Sequence, residues 1–464
     1  MFAPESAPRV RAVRPSIHAA QVERAAGAYP RELQGWYAIS ILMVITIASF
    51  LDRQLPALLV DPIRHEFRIS ITQFSLLQGA AFALLYSVIG IPFGRFVDVA
   101  NRRNLIIFGL VVWSAMTVLC GLARSYGMLL AARSGVGIGE ACLAPAAYSM
   151  IADYFAPLKR GRALAVYFTA LAIGGGLSML AGGAILGALP ANGVALPWLG
   201  ELPAWRVMFL VAGAPGLPLA TLLLTVREPL RLSHQGRAID ANARPPQVRE
   251  LMSFIFKWRS VFFRLFAVQA LAGLIGYSVV GWAVVVLGRT LALPNAQAAM
   301  LLGVCVMMGG LGGALAGGFL SDLLERRAVL AARLRVTMLG TLIILPAGVV
   351  WPLAHSAPLT LFALTLTMLG GAMATGSGPA TFQEIVPNQM RGQIIAVYLL
   401  IASLFGIGLG PTSVAWLASR LSAGENGLSY ALASVAGVAS ALAVVLAATA
   451  LSAYMRLRDE VARG

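Results

Sequence analysis

"GRFVDVANRR", Gly94 to Arg103, and "GGFLSDLLERR", Gly317 to Arg327, decide how this chain is read. Each closes a long apolar run. In each, a Gly is followed four residues later by Asp, and four residues after that by an Arg pair. Gly94, Asp98, Arg102 and Arg103 match Gly318, Asp322, Arg326 and Arg327 at a constant offset of 224. A second echo follows at an offset of 231: Asp153, Arg160-Gly161 and Ala165-Val166-Tyr167 match Glu384, Arg391-Gly392 and Ala396-Val397-Tyr398. Two echoes in the same order, lying between apolar runs, describe a duplicated membrane chain.

Composition fixes the class. Of 464 residues, 59% are hydrophobic and only 12% charged, where soluble domains carry about a quarter charged. The apolar runs approach the ~20 residues that cross a bilayer as a helix. The alternation of a membrane β-barrel is absent. The net charge of +16 would suggest nucleic acid in a soluble chain. Here the arginines sit between apolar runs, so they report topology, and no nucleic-acid partner is expected. Cys120, Cys142 and Cys305 lie inside apolar runs and lack metal or redox spacing. No metal or cofactor is expected.

Twelve spans are expected: 37–60, 73–95, 104–123, 126–151, 161–188, 205–226, 261–287, 297–320, 333–353, 357–380, 393–418 and 428–455. Residues 1–36, which lack the apolar region of a signal peptide, are expected to be a cytoplasmic tail. Residues 37–226 form one six-helix half and 261–455 the other. The linker, 227–260, carries Arg227, Arg231, Arg237, Arg244 and Arg249 and a short surface helix near 248–258; residues 456–464 are a second tail. Basic residues follow every even-numbered span, which places those exits and both termini in the cytoplasm. No Asn-x-Ser/Thr site occurs, in keeping with the bacterial cytoplasmic membrane.

The doubled pattern resembles the Gly-x-x-x-Asp-Arg-x-Gly-Arg-Arg signature of the major facilitator superfamily, whose two halves are related as parallel repeats. Val99 and Asn101 stand where the first copy should have Arg and Gly, and Leu323 and Glu325 where the second should. The resemblance spans about 420 residues. It implies an all-α membrane fold of twelve helices in two six-helix halves related by a pseudo-two-fold axis. It also implies that the signature stabilises the outward-open state. Physically, an Asp at a helix end can meet the positive N-terminus of another helix, and an Arg pair can bind facing carbonyls or carboxylates. Asp98, Arg102, Arg103, Asp153 and Arg160, with Asp322, Arg326, Arg327, Glu384 and Arg391, are therefore expected to latch the halves on the cytoplasmic side. The alternative is that the arginines only set topology. The glycine-rich runs Ala172–Gly187 and Met307–Gly318 have no preceding strand, so they are not phosphate loops. In lipid they allow close helix packing.

Only spans 1 and 4 hold internal charges: Asp52 and Arg53 in "SFLDRQLPALLV", Arg133 and Glu140 in "AARSGVGIGEACLAP". A charge at the bilayer centre costs at least ~2.5–3.5 kcal/mol, so these need partners. Residues 133 and 140 are two helical turns apart, on one face. All four can meet at overlapping depth, and their sum is zero. Burial opposes the charged form of a carboxylate and a nearby arginine favours it. Glu140 is thus expected to exchange protons, and protonation of either carboxylate leaves a cationic site for an anion. A permanent salt bridge stapling span 1 to span 4 is the other role open to them.

These motifs, with "APAAYSMIADYF" after them, resemble the Spinster family of facilitators. That resemblance implies export of sphingosine-1-phosphate or lysophospholipids, often with proton coupling, with Asp52, Arg53, Arg133 and Glu140 as the central charged residues. Few amide side chains lie in the spans, which disfavours sugar and suits an amphiphile with a charged head. Trp282, Tyr277, Tyr86, Tyr167, Tyr398 and Phe382 are candidates to line the cavity. An organic-anion or multidrug facilitator is the alternative within the class, and a passive scramblase or receptor on the same fold a remoter one. A membrane enzyme is disfavoured, because no HExxH or Gly-x-Ser-x-Gly occurs and His18, His65, His234 and His355 all lie outside the spans. A monomer is expected.

Overall fold

The computed structural model describes residues 29–190, 193–197, 199–231, 248–387, 390–421 and 424–463. The expected tail up to residue 28, linker residues 232–247 and the Asp98 side chain lie outside the described residues. Among the described residues, 12 helices are long and apolar enough to cross a membrane. Spans 1 to 6 are Glu32–Leu58, Ile71–Gly94, Arg102–Gly121, Tyr126–Tyr154, Lys159–Ala188 and Ala204–Leu224. Spans 7 to 12 are Arg259–Thr290, Asn295–Arg326, Ala332–Val350, Ala357–Glu384, Gln393–Arg420 and Gly427–Val461. An all-helical solution follows from the solvent: in hydrocarbon, backbone groups must be satisfied within the segment. A short antiparallel hairpin, Val194–Leu196 against Gly200–Leu202, joins spans 5 and 6. An amphipathic helix, Val248–Lys257, precedes span 7.

Polar residues mark where helices start. The Asn101 side chain accepts from the Asn104 amide at the head of span 3, and Ser125 from the Met128 amide at the head of span 4. Ser70 and Gln73 form a reciprocal capping box at the head of span 2. Spans 2 and 11 each contain a π-helical stretch, Leu76–Ala80 and Ser403–Leu409.

The two halves meet through small residues. A Cβ on Gly303 of span 8 would lie 2.8 Å from the Gly176 carbonyl oxygen of span 5, and one on Gly176 would lie 2.8 Å from the Gly303 oxygen. A Cβ on Gly79 of span 2 would clash with the Ile407 carbonyl of span 11. Only glycine permits backbones this close. All these contacts lie toward one end, called the far face. The opposite end, which bears the linker, is the linker face. On the far face Gln78 donates across the halves to the Gly281 carbonyl at 2.8 Å, Phe74 packs against Trp282, and Arg289 reaches Asp61 at 3.7 Å. Toward the linker face, a Cβ on Gly90, Gly94 or Gly318 would meet nothing within 4 Å. The halves are closed at the far face and parted at the linker face.

Candidate functional site

Span 4 lies tight on span 3. A Cβ on Gly139 would sit 2.7 Å from the Gly109 carbonyl oxygen and 2.6 Å from the Trp113 amide nitrogen. That contact helps orient the charged face of span 4 toward span 1. The four internal charges do meet, as two pairs. Arg53 Nη2 lies 2.5 Å from Glu140 Oε2. Arg133 Nη1 lies 3.7 Å from Asp52 Oδ1 and donates to the Asp52 carbonyl at 3.3 Å. Thr117 of span 3 donates to Asp52 Oδ2 at 2.7 Å. All four belong to one half.

Exposure separates the pairs. The Asp52 and Arg133 side chains are both 0% exposed, Glu140 is 1% and Arg53 15%. Arg53 alone reaches open space. Its guanidinium lies 4.9 Å from the Phe82 ring centroid, 5.4 Å from Tyr86 and 5.5 Å from Phe50. Arg133 also lies 5.8 Å from the Phe82 ring, so both cations share one π-face donor. Phe82 and Thr117 escaped the sequence reading, since a lone Phe or Thr in an apolar run carries no signal. Glu140 Oε1, Arg53 Nε, and Arg133 Nε and Nη2 are buried without a hydrogen-bond partner. Such groups are costly in a structural staple and call for an explanation.

Beside Arg53 opens a cavity of about 230 Å³ between the halves. Phe50, Gln54 and Gly175 line it from one half; Gly276, Tyr277 and Gly371 are among its lining from the other. Of the six candidate aromatics, Tyr277 lines this cavity and Tyr86 flanks Arg53. The other four do other work. Trp282 is fully buried and donates to the Pro411 carbonyl, and Tyr167 pairs with Thr46. Phe382 stacks on Phe266, and Tyr398 packs against Phe382.

The signature residues bond within their own halves, not across them. Arg102 is 1% exposed. It pairs with Asp153, and donates to Glu228 Oε1 at 2.7 Å, Ser149 Oγ at 2.9 Å and the Pro229 carbonyl at 2.8 Å. The Arg103 amide donates to Glu228 Oε2 at 2.9 Å. Glu228 was not foreseen. In the second half the counterpart of Arg102 is Arg333, not Arg326. Arg102 donates to the Ser149 carbonyl and Arg333 to the Ala380 carbonyl, at 3.3 and 3.4 Å. Arg333 also pairs with Glu325 at 2.9 Å. Arg326 and Arg327 are exposed and form no ion pair among the described residues. Span 8 runs on helically to Arg326, whereas the matching helix of span 2 ends at Val99, and that extension shifts the register. Glu384 accepts from Tyr454 at 2.8 Å and pairs with Arg458 at 3.5 Å. Arg391 donates to the Gln383 carbonyl at 3.1 Å. Asp322 is exposed and lines a second cavity, of about 330 Å³, with Arg333. Arg160 is half-buried and forms no ion pair among the described residues. The expected bridge between halves is not formed here, because the halves are apart at this face.

Residues 42–411 match the model of the Major Facilitator Superfamily. The chain is 28% identical to an MFS-type efflux pump of Mycolicibacterium smegmatis, over 84% of this chain and 85% of that protein. It is 27% identical to Protein spinster of Drosophila melanogaster over 63% of this chain, but spans only 46% of that protein's length. Among solved structures, a bacterial homologue of the human lysosomal transporter Spinster, in an inward-facing and unoccupied conformation, superposes with a TM-score of 0.77 at 27% identity, covering 94% of this chain and 99% of that one. With twelve spans in two halves and a charged pair at the cavity between them, the chain belongs to the Major Facilitator Superfamily and is a multi-pass transporter related to Spinster.

Proposed function

We propose that this protein is a proton-coupled secondary transporter, working by alternating access, that moves an amphiphilic anion such as a lysophospholipid or a sphingosine-1-phosphate-like lipid across the bacterial cytoplasmic membrane. The observation that carries the reading is the Arg53–Glu140 pair beside the central cavity, with Arg53 the more exposed partner and packed against Phe50, which lines that cavity. Protonating Glu140 removes the charge that neutralises Arg53. The freed guanidinium then binds an anionic head, and the aromatic rings around it accept the adjoining apolar atoms. Asp52 and Arg133 hold span 1 against span 4 behind that pair.

In this reading the linker face is cytoplasmic, because the arginines concentrate there, and both termini lie on that side. The six-helix halves, 37–226 and 261–455, rock as units about the small-residue contacts, joined by the linker 227–260, in a monomer. The signature residues Asp98, Arg102, Arg103, Asp322, Arg326 and Arg327, with Asp153, Arg160, Glu384 and Arg391, form the cytoplasmic latch once the halves close on that side. The test is uptake of a labelled lysophospholipid into proteoliposomes with and without an imposed pH gradient. Flux that ignores the gradient removes the proton coupling; no flux of any amphiphile removes the substrate class. A multidrug facilitator is the second reading, favoured by the similarity to the mycobacterial efflux pump across most of both chains; displacement of the lysophospholipid by uncharged lipophilic compounds would favour it.

A further inference from the structure

The central cavity has two chemically different walls. No charged side chain lines it directly, but Arg53, whose guanidinium lies 5.5 Å from the cavity-lining Phe50 ring, adjoins the wall formed by the first half. Spans 7, 9 and 10 bring no carboxylate, amine or guanidinium to the cavity. Two of the three hydroxyls on that side, the third being that of Tyr277, are occupied: Thr367 donates to the Ala363 carbonyl and Thr375 to the Gly371 carbonyl, both at 2.8 Å. What they leave facing the cavity is hydrocarbon, beside Val280, Ile344 and Met368. The polar end has unspent capacity, since Arg53 Nε and Glu140 Oε1 lack partners. A ligand that satisfies both walls has its charge at Arg53 and its chain among spans 7, 9 and 10.

Two positions on the apolar wall are left unfilled. Gly276 of span 7 and Gly371 of span 10 both line the cavity, and a Cβ at either would meet nothing within 4 Å. They differ from the glycines of the interface between halves, such as Gly176 and Gly303, where a Cβ would strike backbone. Close helix packing therefore does not explain them; the room they leave in the cavity does.

Resting on the proposed amphiphile transport, we infer that Gly276 and Gly371 set the length and girth of the apolar chain the site accepts. A larger side chain at either fills the space the distal methylenes occupy, while the head still reaches Arg53. Each methylene denied burial weakens binding about fourfold, so the effect grows with chain length.

The test compares lysophosphatidic acids with octanoyl and oleoyl chains, by binding to the purified protein in nanodiscs and by flux in proteoliposomes. The wild type is expected to bind the oleoyl form more tightly. Gly371→Leu and Gly276→Leu are each expected to cut that preference by roughly tenfold or more while octanoyl binding changes by about twofold or less. Gly127→Leu, at an exposed glycine away from the cavity whose Cβ also meets nothing within 4 Å, should leave the preference as it was. Gly371→Ala adds one carbon into open space and should fold and show a smaller shift of the same sign. An unchanged preference in both Leu variants, or equal loss of both chain lengths in a monodisperse variant, overturns the assignment while leaving the transport reading intact. A wild type that binds neither lipid overturns both.

Discussion

Arg102 and Arg333 are structural equivalents, each donating to the backbone carbonyl of the residue, Ser149 or Ala380, at the matching place in its own half. Both pairs are related by the offset of 231 that joins Asp153 to Glu384. Their surroundings differ. Arg102 is buried and shared by two carboxylates, Asp153 and Glu228. The Arg333 side chain is 33% exposed and faces Glu325.

Burial therefore ranks three substitutions. Arg102→Ala removes the buried cation that Asp153 and Glu228 share and should cost about 3 kcal/mol, the low end of what removing one partner of a buried pair costs. Arg333→Ala breaks an exposed pair and should cost about 1 kcal/mol or less. Arg326→Ala should fall within about 0.5 kcal/mol of wild type. Thermal unfolding of the detergent-solubilised protein reads the order; an Arg326 variant as damaged as the Arg102 variant would refute the assignment.

That comparison also shows what the sequence could tell. The twelve spans were legible because lipid demands long apolar helices, and the duplication because the paired Gly, Asp and Arg keep their spacing. The internal charges were legible because carboxylates and guanidinia inside apolar runs are rare. The equivalence of Arg102 with Arg333 was hidden. The added helical length at the end of span 8 carries its own Arg pair, and matching letters drew the alignment there. Glu228 was hidden because it lies in a basic, polar stretch where one more charge says nothing. The splitting of the four central charges into two pairs depends on which side chain points to the cavity, and spacing along a helix does not specify that.

The two central pairs differ in access, Arg53 being 15% exposed where the Asp52 and Arg133 side chains are 0%. Glu140→Gln fixes the neutral form at the cavity pair. It should abolish flux driven by a pH gradient yet retain substrate binding, which becomes less dependent on pH. The sign follows from charge: in the wild type, lowering the pH protonates Glu140, frees Arg53 and strengthens anion binding. Binding and flux measured across a pH series check it, and gradient-driven flux at the wild-type level in the variant would take Glu140 out of the proton role.

Arg53→Lys keeps the charge but loses the planar guanidinium that faces Phe82, Tyr86 and Phe50. The fork geometry and the stacking are what distinguish Arg from Lys. Binding of an anionic amphiphile should weaken about tenfold, a loss in the range of one cation–π contact at a desolvated site. Arg53→Ala should weaken it further and leave Glu140 without its cation. Calorimetric titration of the two variants separates the roles: equal affinity for wild type and Arg53→Lys would mean that charge alone is read.

The closed far face gives a prediction independent of substrate. A Cβ on Gly187 of span 5 would lie 3.4 Å from Ala296 Cβ of span 8 and meet nothing closer, near the separation of about 3.5–4.5 Å that a disulfide spans. The native Cys120, Cys142 and Cys305 are buried and should not compete. With cysteines at 187 and 296, mild oxidation should cross-link the halves while the far face is closed. Transport should stop, because rocking needs that contact to open, and a reductant should restore it. A cross-linked protein that still transports at the wild-type rate would mean that spans 5 and 8 stay together throughout the cycle, and the halves would then have to move about some other contact.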